Sequence, residues 1–143
     1  VTKTFTVYGH DADVAGWAFH IWRCKPFHID MAVGIAGEDG KLCGAFAFSG
    51  WTGSDAEVHF FGPGTLKRHI LREIFAVAVK VLGLNRLTVR TRKPSMARGV
   101  RKLGAVYEGC QRRVYGPTDG DEHKAECFAF FRERMEVLAG MKG

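Results

Sequence analysis

The chain has 143 residues, 46% of them hydrophobic, and a formal net charge of +6. That is enough to close a core within one domain (1–143), and the composition excludes global disorder. No apolar run approaches the roughly 20 residues that span a bilayer, so no membrane partner is expected. There is no signal-peptide pattern, although a start at Val1 rather than Met leaves a processed or trimmed N-terminus open.

In chain order, Lys3–Tyr8 alternates as a first strand, and Asp11 or Asp13 is the expected N-cap of a helix over Val14–Arg23. Pro26 ends that helix or starts a new turn. Met31–Ala36 and Lys41–Ser49 read as strands joined by a Glu38-Asp39-Gly40 hairpin turn. A Gly-, Ser- and Thr-rich turn leads into a short strand, Ala56–Phe61, which Gly62-Pro63-Gly64 breaks. Thr65 is a candidate cap for a helix from Leu66 to Leu82. Its apolar residues Leu66, Ile70, Leu71, Ile74, Phe75, Ala78, Val81 and Leu82 form one stripe, and Gly83 closes it. Leu87 and Val89 alternate with Arg86, Thr88 and Arg90 on a half-exposed strand. Met96, Val100 and Leu103 mark a short helix after Lys93-Pro94-Ser95. Ala105–Tyr115 is a strand with a bulge expected at Gly109, and Lys124–Glu136 is a last strand followed by a short, mobile tail. The class is α/β with a mixed, largely antiparallel sheet.

Two local features carry chemistry. The turn from Gly62 to Arg68 delivers a strand into a helix N-terminus, where unpartnered N–H groups and the positive end of the helix dipole suit an anion. Glu57 and His59 are two apart and share one face of their strand, so a carboxylate and an imidazole meet there. The competing reading of that pair is an ordinary solvent-facing polar face.

The order of elements resembles the GNAT superfamily of CoA-dependent N-acyltransferases. Leu82-Gly83-Leu84-Asn85-Arg86-Leu87-Thr88-Val89 resembles the family's cofactor-helix end and following strand. Lys93-Pro94-Ser95-Met96 through Arg101-Lys102-Leu103-Gly104-Ala105-Val106-Tyr107-Glu108-Gly109 is similar to the segment N-P-x-A…E-K-L-G-F-x-x-E-G. The nearest look-alikes are small phage-type members. The resemblance implies a GNAT-like sheet of about seven strands flanked by helices, with acetyl-CoA or another acyl-CoA as co-substrate and an amine as acceptor. The departures are specific. Where the family reads R/Q-x-x-G-x-G/A, this chain reads Gly62-Pro63-Gly64-Thr65-Leu66-Lys67. The family's frequent tyrosine aligns with Val100 and its asparagine with Lys93.

On this basis Glu57 or His59 is the expected base, acting on the incoming ammonium directly or through water. Phe60, Phe61, Gly62, Gly64, Thr65, Leu66, Lys67 and Arg68 are the expected cofactor contacts, with strand N–H groups polarising the thioester carbonyl. Trp17, Phe19, Trp22 and Trp51 suit either an acceptor pocket or the core. The resemblance places the first helix and its following loop at the acceptor site, which singles out Trp22, Phe27 and His28. His20, Cys24 and His28 recur every four residues, but Pro26 breaks the helix a zinc site would need and no fourth ligand is spaced nearby. Cys24, Cys43, Cys110 and Cys127 form no CxxC pair and fit a reduced cytoplasmic interior, with Cys110 and Cys127 expected to face each other across the last hairpin.

Nine Lys or Arg and a single acid, Glu108, lie between Arg86 and Arg113. This block suits an anionic partner and carries the alternative reading: a catalytically decayed module that binds nucleic acid or a protein through its basic face. Small amine, peptide N-terminus, lysine and nucleobase all remain open as acceptors, as do acyl length and oligomeric state.

Overall fold

The computed structural model describes residues 3–62 and 67–141. Seven strands form one sheet: β1 (Thr4–Val7), β2 (Met31–Gly37), β3 (Leu42–Ser49), β4 (Asp55–Phe61), β5 (Arg86–Thr91), β6 (Val106–Gln111) and β7 (Ala125–Phe131), in the order β1-β2-β3-β4-β5-β7-β6. Every neighbouring pair is antiparallel except β4 and β5. Among the described residues the α-helices are α1 (Asp11–Ile21), α2 (Arg68–Ala76), α3 (Pro94–Lys102) and α4 (Arg132–Leu138). The mixed, largely antiparallel α/β sheet expected from the sequence is therefore present. Among the described residues, no helix is long and apolar enough to cross a membrane.

Strand alternation sorts side chains to two faces. Phe46, Phe48, Val58, Leu87, Val89, Phe128 and Phe130 point to one, where they pack with Ile70, Ile74 and Phe75 of α2, Val100 of α3 and Met135 of α4. A smaller cluster fills the other: Val14 and Ala18 of α1 against Ala32, Ala45, Ala47 and Phe61. The small side chains on β2 and β3 let α1 lie close to the sheet. Glu57 and His59 belong to this second face by parity with Phe61.

Several elements differ from expectation. The helix predicted as unbroken over Leu66–Leu82 is α2 followed by a π-helical turn, Val77–Val81. Leu82 N–H donates to Val77 O at 3.0 Å, skipping one residue of the α ladder. Lys67, not Thr65, is the N-cap; Thr65 lies outside the described residues, together with Pro63, Gly64 and Leu66. α1 begins at Asp11 with His10 as N-cap, and the Asp11 carboxylate instead accepts from Ala32 N–H at 3.2 Å. It stops at Ile21, and Arg23 turns left-handed (φ 49°), so His20, Cys24 and His28 share no helix.

The last strand ends at Phe131, and the segment predicted as strand and mobile tail is α4. Glu133, Arg134, Met135, Glu136 and Leu138 are good helix formers, and the fully buried Met135 anchors them. The bulge expected at Gly109 is present, with φ 120° and a register shift after Tyr107. That shift places Gly109, not Cys110, opposite Cys127.

Candidate active site

Among the described residues, β4–β5 is the one parallel pair in the sheet, and it is also the shortest. β4 and β5 are in register at Asp55–Arg86, Ala56–Leu87 and Glu57–Thr88, and there the pairing stops. Beyond it the strands part and leave a cleft of about 220 Å³, lined by Val58, His59, Phe60 and Phe61 on one side and Val89 and Arg90 on the other. Cys24 and Phe27 close one end, and Lys93 and Met96 the other. The phase of the ladder decides which backbone groups enter this gap. Ser54 O accepts from Asn85 N–H at 2.7 Å, which directs the polar groups of the even-numbered residues of β4 toward β5. Val58 and Phe60 therefore turn their N–H and C=O into the cleft, whereas Phe61 turns its own toward β3.

His59 sits on the α1 side of this wall. Its Nε2 is 2.6 Å from Ser49 Oγ, and its Nδ1 is 4.0 Å from Glu57 Oε2. Phe27 packs against the imidazole with ring centroids 4.7 Å apart. The Glu57 carboxylate is held by Arg90, whose Nε donates to both oxygens at 3.1 Å, while Arg90 Nη1 donates to Gln111 Oε1 at 3.3 Å. Burial pushes the His59 pKa below the ordinary imidazole value; Glu57 opposes this and Arg90 adds to it. A neutral imidazole beside a carboxylate that is already paired is a proton acceptor poised for use near neutral pH.

Around this pair the aromatics form one cluster. Trp22 lies 5.9 Å and Phe19 6.4 Å from the Phe61 ring, Trp17 is 5.5 Å from Trp22, and Phe27 is 5.1 Å from Phe19. Phe27 lines the cleft, and Trp22 reaches it only through its contact with Phe61. His28 does not: its side chain is 83% exposed and pairs with Asp30 at 3.2 Å. Trp51 is part of the scaffold, donating from Nε1 to Leu82 O at the end of the π turn. On the other side of β4, Gly62 turns the chain at φ 98°, and a Cβ there would stand 2.9 Å from Cys43 O. Lys67 and Arg68 open α2, whose first turn carries no acid, so its positive end is left for an anion. Gly64, Thr65 and Leu66 lie outside the described residues.

Among solved structures the chain is similar to mutant forms of the spermidine/spermine N-acetyltransferase SpeG from Vibrio cholerae, with a TM-score of 0.74, 10% identity, and coverage of 94% of this chain and 98% of that one. It is also similar to a candidate acetyltransferase from Acinetobacter baylyi ADP1, with a TM-score of 0.71, 14% identity, and coverage of 92% and 93%. The chain has the GNAT fold. No family profile and no curated protein matches the sequence. The comparisons give the phage-type resemblance no support.

Within the GNAT fold the basic block divides between surfaces. Arg86 pairs with Glu108 and Arg90 with Glu57 on the α1 side of the sheet, while Arg112 and Arg113 face Asp119. Arg92, Lys93, Arg98 and Arg101 instead border a second cleft of about 510 Å³ beside α3, with Lys124 opposite. Two residues of the candidate site escaped the sequence reading. Arg90 had a usable signal, since strand parity puts it with Thr88 on the polar side. Ser49 had none, because its approach to His59 depends on the β3–β4 register. Cys127 is buried and its thiol pKa is raised by that burial, which makes it a poor nucleophile.

Proposed function

We propose that this chain, as a single domain, is an acyl-CoA-dependent N-acyltransferase that passes an acyl group to an amine by direct attack within a ternary complex. The observation that carries the reading is the parted β4–β5 pair with His59 on its wall. A thioester lying along β4 would meet backbone N–H groups of Val58 and Phe60, which suit a developing oxyanion. The phosphates would lie at the start of α2, where helix N–H groups, Lys67 and Arg68 favour negative charge, just beyond Gly62. Phe61 supports the wall from the α1 side. The amine approaches between Trp22, Phe27 and β4, and His59 accepts its proton. Glu57, held by Arg90, favours the resulting imidazolium. The leaving thiolate takes its proton from solvent.

Acetyl-CoA is the first co-substrate to test, and the free cysteines fit a cytoplasmic setting. The acceptor named for SpeG, a polyamine, is not the favoured one here. The carboxylate nearest the cleft is already neutralised by Arg90, and Lys93 adds positive charge, so a neutral or anionic amine fits better. Isothermal titration with acetyl-CoA tests the reading, and an absence of heat at millimolar cofactor sinks it. If binding is present, His59→Ala is expected to lower kcat at least a hundredfold with little change in cofactor affinity, in line with typical general-base contributions of about 10²–10⁴.

A second reading is favoured by the cleft beside α3. Among the described residues, Lys93 and Arg98 border it without an ion-pair partner, which suits a phosphate backbone. Binding of single-stranded RNA or DNA with a steep salt slope, flattened in Lys93→Glu/Arg98→Glu, would support it.

A further inference from the structure

The base assigned above has two nitrogens, and their surroundings differ. A neutral imidazole carries one proton, and the group facing each nitrogen decides which of them holds it. His59 Nδ1 faces the Glu57 carboxylate at 4.0 Å. A lone pair there would point at negative charge, whereas an N–H would present the positive end of its dipole. Nδ1 therefore carries the proton. The lone pair is on Nε2, which lies 2.6 Å from Ser49 Oγ. Ser49 donates its hydroxyl proton to that lone pair.

The basic nitrogen is thus turned to Ser49 and not to open solvent. One flank of the ring is taken by Phe27. Ser49 is the last residue of β3, pairs with Glu57 in the β3–β4 register, and retains partial exposure. Among the described residues, this hydroxyl is the hydrogen-bond partner of Nε2.

We propose that Ser49 relays the proton from the attacking amine to His59. The amine N–H bond breaks as its proton moves to Ser49 Oγ, and the Ser49 O–H bond breaks as that proton moves to Nε2. The serine ends as it began, and His59 ends as imidazolium, facing Glu57. Cys24, Arg90 and Lys93 line the cleft, and Tyr115 and Cys127 interact electrostatically with Arg90 and Glu57; among the described residues none of them hydrogen-bonds Ser49 Oγ or Nε2. The inference rests on the acyltransfer reading, and its test separates the two.

Without any turnover, ¹⁵N NMR of the imidazole in the wild-type chain, at pH above its pKa, is expected to show the Nδ1–H tautomer. An Nε2–H tautomer overturns the relay. With acetyl-CoA and a panel of primary amines (an uncharged amine, an amino acid, an acidic peptide with a free N-terminus and, for contrast, a polyamine), Ser49→Ala is expected to lower kcat tenfold or more. KM for acetyl-CoA should not move, and the acid limb of the pH profile should shift upward because the neutral imidazole loses a donated hydrogen bond. Ser49→Thr, which keeps the hydroxyl, restores most of the rate. A proton inventory in mixed H₂O/D₂O should show two moving protons in the wild type and one in Ser49→Ala. Full kcat in Ser49→Ala, with the wild type active, overturns the relay alone. A wild type that neither binds nor turns over acetyl-CoA overturns the acyltransfer reading and the relay with it.

Discussion

Replacing Glu57 by Gln removes the negative charge nearest the His59 imidazole while keeping the shape of the side chain. Two unit charges 4 Å apart interact by about 1 kcal/mol in bulk water and by about 4 kcal/mol at an effective dielectric of 20. The side chains of His59 and Glu57 are 23% and 21% exposed, which places the pair between those limits. A loss of about 2 kcal/mol is the working figure, and its sign is to lower the pKa of His59. The direction follows from the neighbours. Burial and Arg90 both favour the neutral ring, and Glu57 is the group that opposes them. In Glu57→Gln the opposition is gone and Arg90 is no longer neutralised, so the pKa falls further. An NMR titration of the imidazole Cε1–H reads this directly. The acid limb of the kcat–pH profile should move down by the same amount, and the plateau rate should fall because a weaker base takes the amine proton less readily. An imidazole pKa that stays in place or rises in a folded Glu57→Gln chain refutes the assigned geometry.

Three further outcomes are expected. Because the folded-state pKa of His59 is depressed, its contribution to stability is present above the unfolded value of about 6.5 and is lost as pH falls from there toward the folded value. Thermal unfolding across that window should flatten in His59→Phe. Gly62→Ala puts a methyl 2.9 Å from Cys43 O at a positive φ; it should cost about 1–3 kcal/mol in denaturant titration and weaken acetyl-CoA binding by shifting the turn into α2. Met135→Ala, at a fully buried position in α4, should cost about 2–5 kcal/mol, and a loss below about 0.5 kcal/mol would mean the C-terminal helix is not docked as described.

The sheet was legible because large and small side chains alternate along β2, β3 and β7, and apolar with polar ones along β5. The C-terminal helix was missed for a related reason. Phe128, Phe130 and Arg132 continue an apparent two-residue period past the true strand end, and only the docking of Met135 into the far core resolves the ambiguity. The π turn was invisible because the apolar stripe of α2 runs on through it. In the candidate site, Glu57 and His59 were readable as a same-face pair from their spacing alone. Their division of labour was not, since it is set by Arg90 on the next strand and by Ser49 across the hairpin. Local periodicity encodes faces; which polar groups meet on a face depends on inter-strand register, which a single sequence expresses only weakly.

The same distinction bears on the phosphate end of the proposed cofactor site. The residues that mark this turn in the GNAT superfamily are absent, yet the fold similarity extends over 94% of the chain. Anion binding at a helix start relies on backbone N–H groups, which every residue but proline supplies, and on a helix dipole that no acid offsets. α2 meets both conditions, with Lys67 and Arg68 at its entrance. What the side chains must provide is a path: a strand that ends, a sharp reversal and a helix that begins. Gly62 supplies the reversal through a close approach to Cys43 and Gly44 that a Cβ would block. A site built from backbone can therefore lose its sequence signature without losing its chemistry. Exchanging Lys67 and Arg68 for neutral residues should then weaken acetyl-CoA binding in part, in a salt-dependent way, whereas displacing the turn at Gly62 should weaken it at every ionic strength.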